Sequence, residues 1–166
     1  MEYAILFLPL LGSVIGYFGR SLAKFFSEII TSLFVSISAI LSLIIFWNGV
    51  EKNNYNNFVI FEWVSSGDFI ANWSINIDPL SSVMLIVVTF VSALVHIYSI
   101  GYMSHDPHKH RFMSYLSLFT FSMLALVVSD NFLQLFFGWE GVGLCSYLLI
   151  GFWYKKESAN NAAIKA

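Results

Sequence analysis

Five long apolar segments, separated by three short connections and one long one, dominate this chain of 166 residues. A bilayer core about 30 Å thick is crossed by ~20 helical residues at ~1.5 Å each, and the segments are close to that length. The sequence therefore predicts an all-α membrane protein with five transmembrane helices, in which residues 1–166 form a single membrane domain. The predicted spans are residues 3–18, 29–47, 80–100, 112–128 and 132–153.

The low proportion of charged side chains agrees with a membrane location. Charged residues make up 11% of the chain, whereas a soluble domain has about a quarter. The net charge of −2 and the absence of a basic patch exclude nucleic acid as an expected partner. The single cysteine, Cys145, forms neither an internal disulfide nor a zinc site. No flavin, haem or iron–sulfur motif is present, so we expect this chain to bind no cofactor.

The distribution of Lys and Arg predicts the direction of insertion. Seven of the eight basic residues fall in the connections after the first and third spans and in the tail after the fifth; only Lys52 lies on the other side. Basic residues are retained on the cytoplasmic side of a membrane, or the matrix side in mitochondria. We therefore expect the N-terminus outside and the C-terminus inside.

The long outer connection, residues 48–78, contains two apolar-rich pieces after a polar run. The pieces are residues 58–64 and 69–77, and Ser65-Ser66-Gly67-Asp68 separates them. Such segments around a Gly/Asp turn predict a β-hairpin between helices 2 and 3. Asp78-Pro79 follows as a helix-start signal, because Asp caps free N–H groups and Pro suits the first helical position.

Glu140 is the residue of greatest functional interest. It lies about nine residues, or ~14 Å, into the fifth span, where an ionised carboxylate is costly unless it is paired or solvated. No Lys or Arg lies in any predicted span, so a cationic partner has to come from elsewhere. A carboxyl group bonded to a neighbouring helix is one interpretation, and proton relay is the one we favour. Gly138, Gly141 and Gly143 allow close helix packing or a small hydrated gap around this site.

Other polar residues are weaker candidates. His96 in the third span has Ser92 and Ser99 on its face; it either passes protons or is a hydrogen-bonded structural residue, and the second interpretation is favoured. The run of residues 105–111 (HDPHKHR) contains three histidines, but its proline indicates a turn, and its interleaved cations oppose metal binding. We expect no metal site there. Either Asn131 or Asp130 is expected to cap the fifth helix, and the Gly12-x-x-x-Gly16 pattern indicates a helix contact.

These segments resemble a known family. Residues 130–153 (DNFLQLFFGWEGVGLCSYLLIGFW) resemble the fifth helix of subunit 5, called chain L in bacteria, of respiratory NADH:quinone oxidoreductase, or complex I. Residues 95–103 (VHIYSIGYM) and 111–116 (RFMSYL) are similar to that family's third helix and to the start of its fourth. Residues 78–81 (DPLS) are similar to the entry into its third helix.

The resemblance implies an antiporter-like subunit of a bacterial cell inner membrane or mitochondrial inner membrane. It pumps protons while NADH, FMN, iron–sulfur clusters and quinone carry electrons in other subunits. Glu140 then belongs to the proton path, together with a lysine on a later helix. Because the family's chains are far longer, we expect this chain to be a fragment or a split piece. Its expected partners are the other membrane-arm subunits, the remaining C-terminal part of the same subunit and the bilayer. The alternatives are the large subunit of a multi-subunit Na⁺/H⁺ antiporter and a structural fragment that does not pump.

Overall fold

The computed structural model describes residues 1–19, 25–52, 55, 57–67 and 69–165. Within these ranges the chain is mostly helical, with one two-stranded antiparallel sheet. In chain order the elements are α1 (Glu2–Phe18), α2 (Phe26–Lys52), β1 (Asn57–Ser66), β2 (Phe69–Asn76), α3 (Pro79–Tyr102), α4 (Lys109–Val127), α5 (Phe132–Ile150) and α6 (Glu157–Lys165).

Each predicted span contains a helix, but several boundaries differ from the sequence-based expectation. The predicted outer connection began at residue 48, whereas α2 continues to Lys52 because no proline interrupts its hydrogen-bonded ladder. Helix α4 begins at Lys109, α5 ends at Ile150, and the short α6 was not predicted. Among the described residues, three helices (α2, α3 and α5) are long and apolar enough to cross a membrane, and α1 is a shorter apolar helix.

Helix α4 lies at the centre of the bundle and contacts α1, α2, α3 and α5. Its buried face carries hydroxyl side chains, among them Ser114, Thr120 and Ser122. Each of these three hydroxyls donates a hydrogen bond to the carbonyl four residues earlier, at 2.8 to 3.1 Å. Hydroxyls satisfied in this way can be buried at little cost. The modest hydropathy of α4 is therefore compatible with a helix that is surrounded by protein.

The core shows how the helices alternate in direction. Its largest buried cluster joins the start of α1, the end of α2, the hairpin, the start of α3 and the end of α4, through residues that include Leu6, Ile45, Ile75, Leu85 and Leu124. These residues can meet only if successive helices run in opposite directions. The hairpin therefore closes one end of the bundle, and the connection from α3 to α4 lies at the opposite end.

The hairpin predicted between the second and third helices is confirmed, with Asn57 paired to Asn76 and Ser66 paired to Phe69. At its turn Gly67 has a φ of 59°, which L side chains rarely adopt. The predicted start of α3 is also confirmed. The Asp78 carboxylate accepts a hydrogen bond from the backbone N–H of Ser81 at 2.6 Å, and the Ser81 hydroxyl accepts one from the backbone N–H of Asp78 at 2.8 Å.

The glycine pattern of α1 makes the expected helix contact. A Cβ atom added at Gly16 would lie 2.9 Å from a methyl carbon of Thr31, on α2, and 3.2 Å from the hydroxyl oxygen of Ser114, on α4. One at Gly12 would lie 3.3 Å from Ser117 Oγ. Two basic residues used to predict the direction of insertion, Arg20 and Lys24, lie outside the described residues, as does Asp68 of the hairpin turn.

Candidate functional site

One face of α5 is fixed against α4 by small residues. A Cβ atom added at Gly138 would lie 2.7 Å from the backbone of Leu126, and one added at Gly141 would lie 2.8 Å from Ser122 Oγ. Gln134 and Cys145 are buried on the same face. The spacing of these four residues of α5 is 4, 3 and 4, which is one stripe of an α-helix. This contact sets the rotation of α5 about its own axis.

Glu140 lies on a different face, which no helix of the described chain covers. Its position is about 130° around α5 from the middle of the packed stripe. The residues four positions before and after it, Phe136 and Leu144, are 60% and 59% exposed. Glu140 itself is exposed, and it makes no ion pair with any described residue. The structure therefore places a carboxylate near the middle of α5, on an otherwise apolar stripe.

Gly143, the third glycine of the predicted site, is separate from the other two. A Cβ atom added there would meet no atom within 4 Å. It lies three residues after Glu140 and so shares the uncovered face. The sequence placed all three glycines around the carboxylate. In the structure Gly138 and Gly141 lie on the face of α5 that packs against α4, whereas Gly143 leaves open space beside Glu140.

The N-terminal end of α5 is attached to the hairpin by hydrogen bonds that the sequence did not reveal. The fully buried Gln134 side chain donates to Ser74 O at 2.7 Å and accepts from Ser74 N at 3.1 Å, so it pairs with β2 as a further backbone amide would. Of the two residues predicted to cap α5, Asn131 is the cap: its side-chain oxygen accepts from Gln134 N at 2.9 Å, and its side-chain N–H donates to Asn72 O at 2.7 Å. Trp73 and Phe137 pack edge to face beside them, at 4.8 Å between ring centroids. The hairpin therefore restrains the helix that carries Glu140.

His96 is fully buried in α3. Its Nδ1 lies 2.8 Å from Ser92 O, which requires that Nδ1 carries a proton and donates. The Ser92 hydroxyl in turn bonds Thr120 on α4, at 2.5 Å. His96 Nε2 is buried without a hydrogen-bond partner among the described residues. No described hydrogen bond links His96 with Glu140, since α5 packs mainly on α4.

An ion pair lies at the end of the bundle opposite the hairpin. Lys109 Nζ, in the first turn of α4, is 2.6 Å from Glu28 Oε1 in the first turn of α2. The Glu28 side chain is 1% exposed and that of Lys109 is 16% exposed. The lysine also lies over the Phe25 ring, at 4.1 Å from its centroid. This pair was not predicted from the sequence, because the predicted spans began after both residues.

The histidine-rich run between α3 and α4 contains no arrangement suited to a metal. Among the described residues, no group of three or more His, Cys, Asp or Glu side chains is placed to hold a metal ion. His108 and His110 lie with ring centroids 6.4 Å apart, and His108 is the N-cap of α4. Residues 103–108 form the connection between α3 and α4, at the end of the bundle opposite the hairpin, and residues 109–111 belong to the first turn of α4.

The fold and the site together define a class of protein. Three membrane-length apolar helices pack around a hydroxyl-rich central helix, and a carboxylate lies on an uncovered helix face. These features define a helical membrane domain.

Comparison with protein families gives the same class and a particular family. Residues 63–113 match the family model described as NADH-ubiquinone oxidoreductase (complex I), chain 5 N-terminus. Residues 129–166 match the family model described as NADH:quinone oxidoreductase/Mrp antiporter, TM. The second match includes Glu140 and all of α5.

Individual relatives are similar along nearly the whole chain. NADH-quinone oxidoreductase subunit L of Rickettsia conorii is 58% identical over 163 residues, covering 98% of this chain and 25% of the relative. NADH-ubiquinone oxidoreductase chain 5 of Arabidopsis thaliana is 58% identical over 167 residues, covering 100% of this chain and 25% of the relative. The chain belongs to the subunit L/chain 5 family of complex I, and it spans about a quarter of the length of the curated relatives it matches.

Proposed function

We propose that this chain is part of a proton-translocating membrane-arm subunit of NADH:quinone oxidoreductase, with Glu140 in the proton path. Electron transfer from NADH to quinone takes place in other subunits, which hold the FMN and the iron–sulfur clusters. This chain binds no cofactor and supplies residues that move protons. The observation that carries the proposal is the position of Glu140, near the middle of an apolar helix and on a face that the described chain leaves uncovered.

The energetics of that position require a partner. A carboxylate that faces lipid near the bilayer centre costs several kcal/mol, so intramembrane acids face protein or water. The face of α5 opposite the carboxylate is already occupied by α4, through Gly138 and Gly141. A further helix therefore covers Glu140 in the assembled protein. The family resemblance implies that this helix comes from the remaining part of the same subunit and carries a lysine.

A carboxylate–lysine pair of this kind can move a proton when its geometry changes. At an effective dielectric constant of about 20, lengthening the charge separation from ~4 to ~6 Å weakens the attraction by on the order of 1–2 kcal/mol. That change is worth about a tenfold difference in proton affinity. Redox-driven rearrangement in the rest of the complex would then let Glu140 take up a proton when the lysine moves away and release it when the lysine returns.

His96 is a second candidate for the proton path. Its unpartnered Nε2 can accept a proton, and its Nδ1–H is already oriented by Ser92 O. The link from Ser92 to Thr120 extends polar contacts from α3 to α4. A structural role explains the same contacts, because a histidine that bonds its own helix and approaches a neighbouring one stabilises the bundle. We therefore assign the main role to Glu140.

We further propose that α1 and α4 also cross the membrane, so that residues 1–166 form one domain of five spans. The alternating direction of the helices and the central, hydroxyl-lined α4 support this arrangement. Among the basic residues of the described ranges, only Lys52, at the end of α2, lies at the hairpin end. Those that follow α3 or α5 are Lys109, Arg111, Lys155, Lys156 and Lys165, which favours the cytoplasmic or matrix side for that end. The membrane is then a bacterial cell inner membrane or a mitochondrial inner membrane, with the N-terminus outside.

The proposal is tested by Glu140→Gln in the complete complex, reconstituted into vesicles. Glutamine keeps the size of the side chain but cannot exchange a proton. We expect proton uptake per NADH oxidised to fall while the complex still assembles. Glu157→Gln on α6 is the matched control, because it makes the same chemical change in an exposed helix outside the predicted spans. Unchanged pumping in Glu140→Gln would contradict the proposal.

The rival within the same class is the large subunit of a multi-subunit Na⁺/H⁺ antiporter, which the name of the second matching family model favours. That protein would exchange Na⁺ for H⁺ without NADH or quinone. Sodium-dependent proton release from vesicles lacking NADH would support it, whereas proton uptake that requires NADH and quinone would support complex I. A structural fragment would show neither activity and would be unaffected by Glu140→Gln.

A further inference from the structure

A cavity lined by cations lies at the end of the bundle opposite the hairpin, between the loop before α4 and the turn after α5. Its volume is about 290 Å³, near the lower end of the range for small-molecule sites, ~300–1,000 Å³. Three cationic side chains line it, Arg111, Lys155 and Lys156, together with one carboxylate, Asp106. Aromatic side chains after α5 form one wall.

Arg111 is the residue that most needs a partner. Its side chain is half-buried, and among the described residues its guanidinium makes one hydrogen bond, from Nη2 to Phe152 O at 3.2 Å. Its Nε is buried without a hydrogen-bond partner, and no described carboxylate pairs with it. Two residues earlier on α4, Lys109 does have a counter-charge, the buried Glu28. The guanidinium also lies over the rings of Phe152 and Tyr154, at 4.9 and 5.9 Å from their centroids. It therefore has aromatic contacts but no counter-charge among the described residues, and a half-buried guanidinium is costly unless an anion accompanies it.

Asp106, the carboxylate of the cavity, is already engaged. Its Oδ2 accepts from Trp153 Nε1 at 3.0 Å, and its Oδ1 accepts from the backbone N–H of His108 at 2.7 Å. These contacts hold the carboxylate at the wall and away from an ion pair with Arg111. With three cations against one carboxylate, the cavity keeps an excess of positive charge.

The position of the cavity indicates the kind of anion. It lies where α4 begins and α5 ends, the level at which membrane helices meet the headgroups, and Trp and Tyr are enriched there. Trp153 and Tyr154 are both cavity residues, and Lys156 Nζ lies 5.1 Å from the centroid of the Trp153 ring. A guanidinium fork matches phosphate oxygens in a bidentate geometry. Basic pockets between helices on this side of a membrane suit anionic lipid headgroups.

We propose that this cavity binds the phosphate group of an anionic phospholipid, held by Arg111 and supported by Lys155 and Lys156. The acyl chains would lie along the exposed apolar surface of the bundle. This inference rests on the membrane placement given under the proposed function, but not on proton translocation. Its test therefore measures lipid labelling and not pumping.

The experiment uses photoactivatable phosphatidylglycerol and photoactivatable phosphatidylcholine of the same acyl chain, added to the intact purified complex. Labelled peptides are mapped by mass spectrometry. We expect the anionic probe to label the segments 106–111 and 152–156 more than the zwitterionic probe does. Arg111→Gln should weaken this labelling about tenfold or more, because a hydrogen bond to a charged group is lost.

Lys165→Gln is the matched control, since it removes a basic residue of the same tail that lies outside the cavity, and labelling should not change. If the Arg111→Gln complex fails to assemble, the double variant Lys155→Gln/Lys156→Gln replaces it, because both lysines are exposed. This variant should reduce labelling by the anionic probe. Equal labelling by the two probes, or undiminished labelling in the variants, would overturn the proposal. Displacement of the probe by inorganic phosphate as readily as by unlabelled phosphatidylglycerol would also overturn it and would indicate a site for a soluble anion.

Discussion

The contact between α4 and α5 gives a prediction whose magnitude follows from the geometry, the effect of Gly138→Ala. The new Cβ atom would lie 2.7 Å from both the N and the Cα of Leu126, and 2.8 Å from its Cβ. Ordinary carbon contacts are at about 3.5–4.0 Å, so the two helices must separate by roughly 1 Å. Backbone atoms cannot rotate away as a flexible side chain can. Forcing a methyl group into such a contact costs about 1–3 kcal/mol.

Gly143→Ala is the matched control on the same helix, because no atom lies within 4 Å of its added Cβ. Both substitutions gain about 1 kcal/mol of helix propensity, and this gain cancels in the comparison. Unfolding of the purified protein in detergent, followed by circular dichroism, should therefore find Gly138→Ala less stable than Gly143→Ala by about 1–3 kcal/mol. Equal stability of the two variants would refute the account of how α5 is fixed against α4.

Two further predictions concern the ends of the bundle. Gln134→Leu removes both hydrogen bonds to the buried backbone of Ser74. The loss of about 1–3 kcal/mol should accelerate hydrogen exchange of the Ser74 amide by a factor of ten or more. An unchanged exchange rate would show that other contacts hold the hairpin. Glu28→Gln leaves Lys109 without its counter-charge and should lower the free energy of unfolding by about 3 kcal/mol. The double variant with Lys109→Gln should recover part of that loss. Additive losses in a double-mutant cycle would contradict the pairing.

Local signals predicted the parts of the fold that depend on neighbouring residues. The Asp78-Pro79 pair placed the start of α3 correctly, because the cap and the first turn are formed by residues three positions apart. The turn at Gly67 and its flanking apolar segments predicted the hairpin for the same reason. Apolar length predicted where the helices lie, but the end of α2 was misplaced, since a polar sequence alone does not stop a helix.

Contacts between distant residues could not be predicted in this way. The pairing of Gln134 with Ser74 joins residues 60 positions apart, and its geometry depends on how the hairpin sits on the bundle. The orientation of Glu140 was equally hidden, because α5 is apolar on most sides and its hydrophobic pattern marks no single face. A signal was present in the 4, 3, 4 spacing of small and polar residues from Gln134 to Cys145, which marks the face that packs on α4.

We propose that Glu140 changes its protonation state during turnover. Infrared difference spectra of the complete complex, recorded with and without NADH, detect a carboxyl group that gains or loses a proton. We expect a band from a protonated carboxyl that is present in the wild type and in Glu157→Gln and absent from Glu140→Gln. A difference spectrum in which Glu140→Gln keeps every carboxyl band of the wild type would contradict the claim.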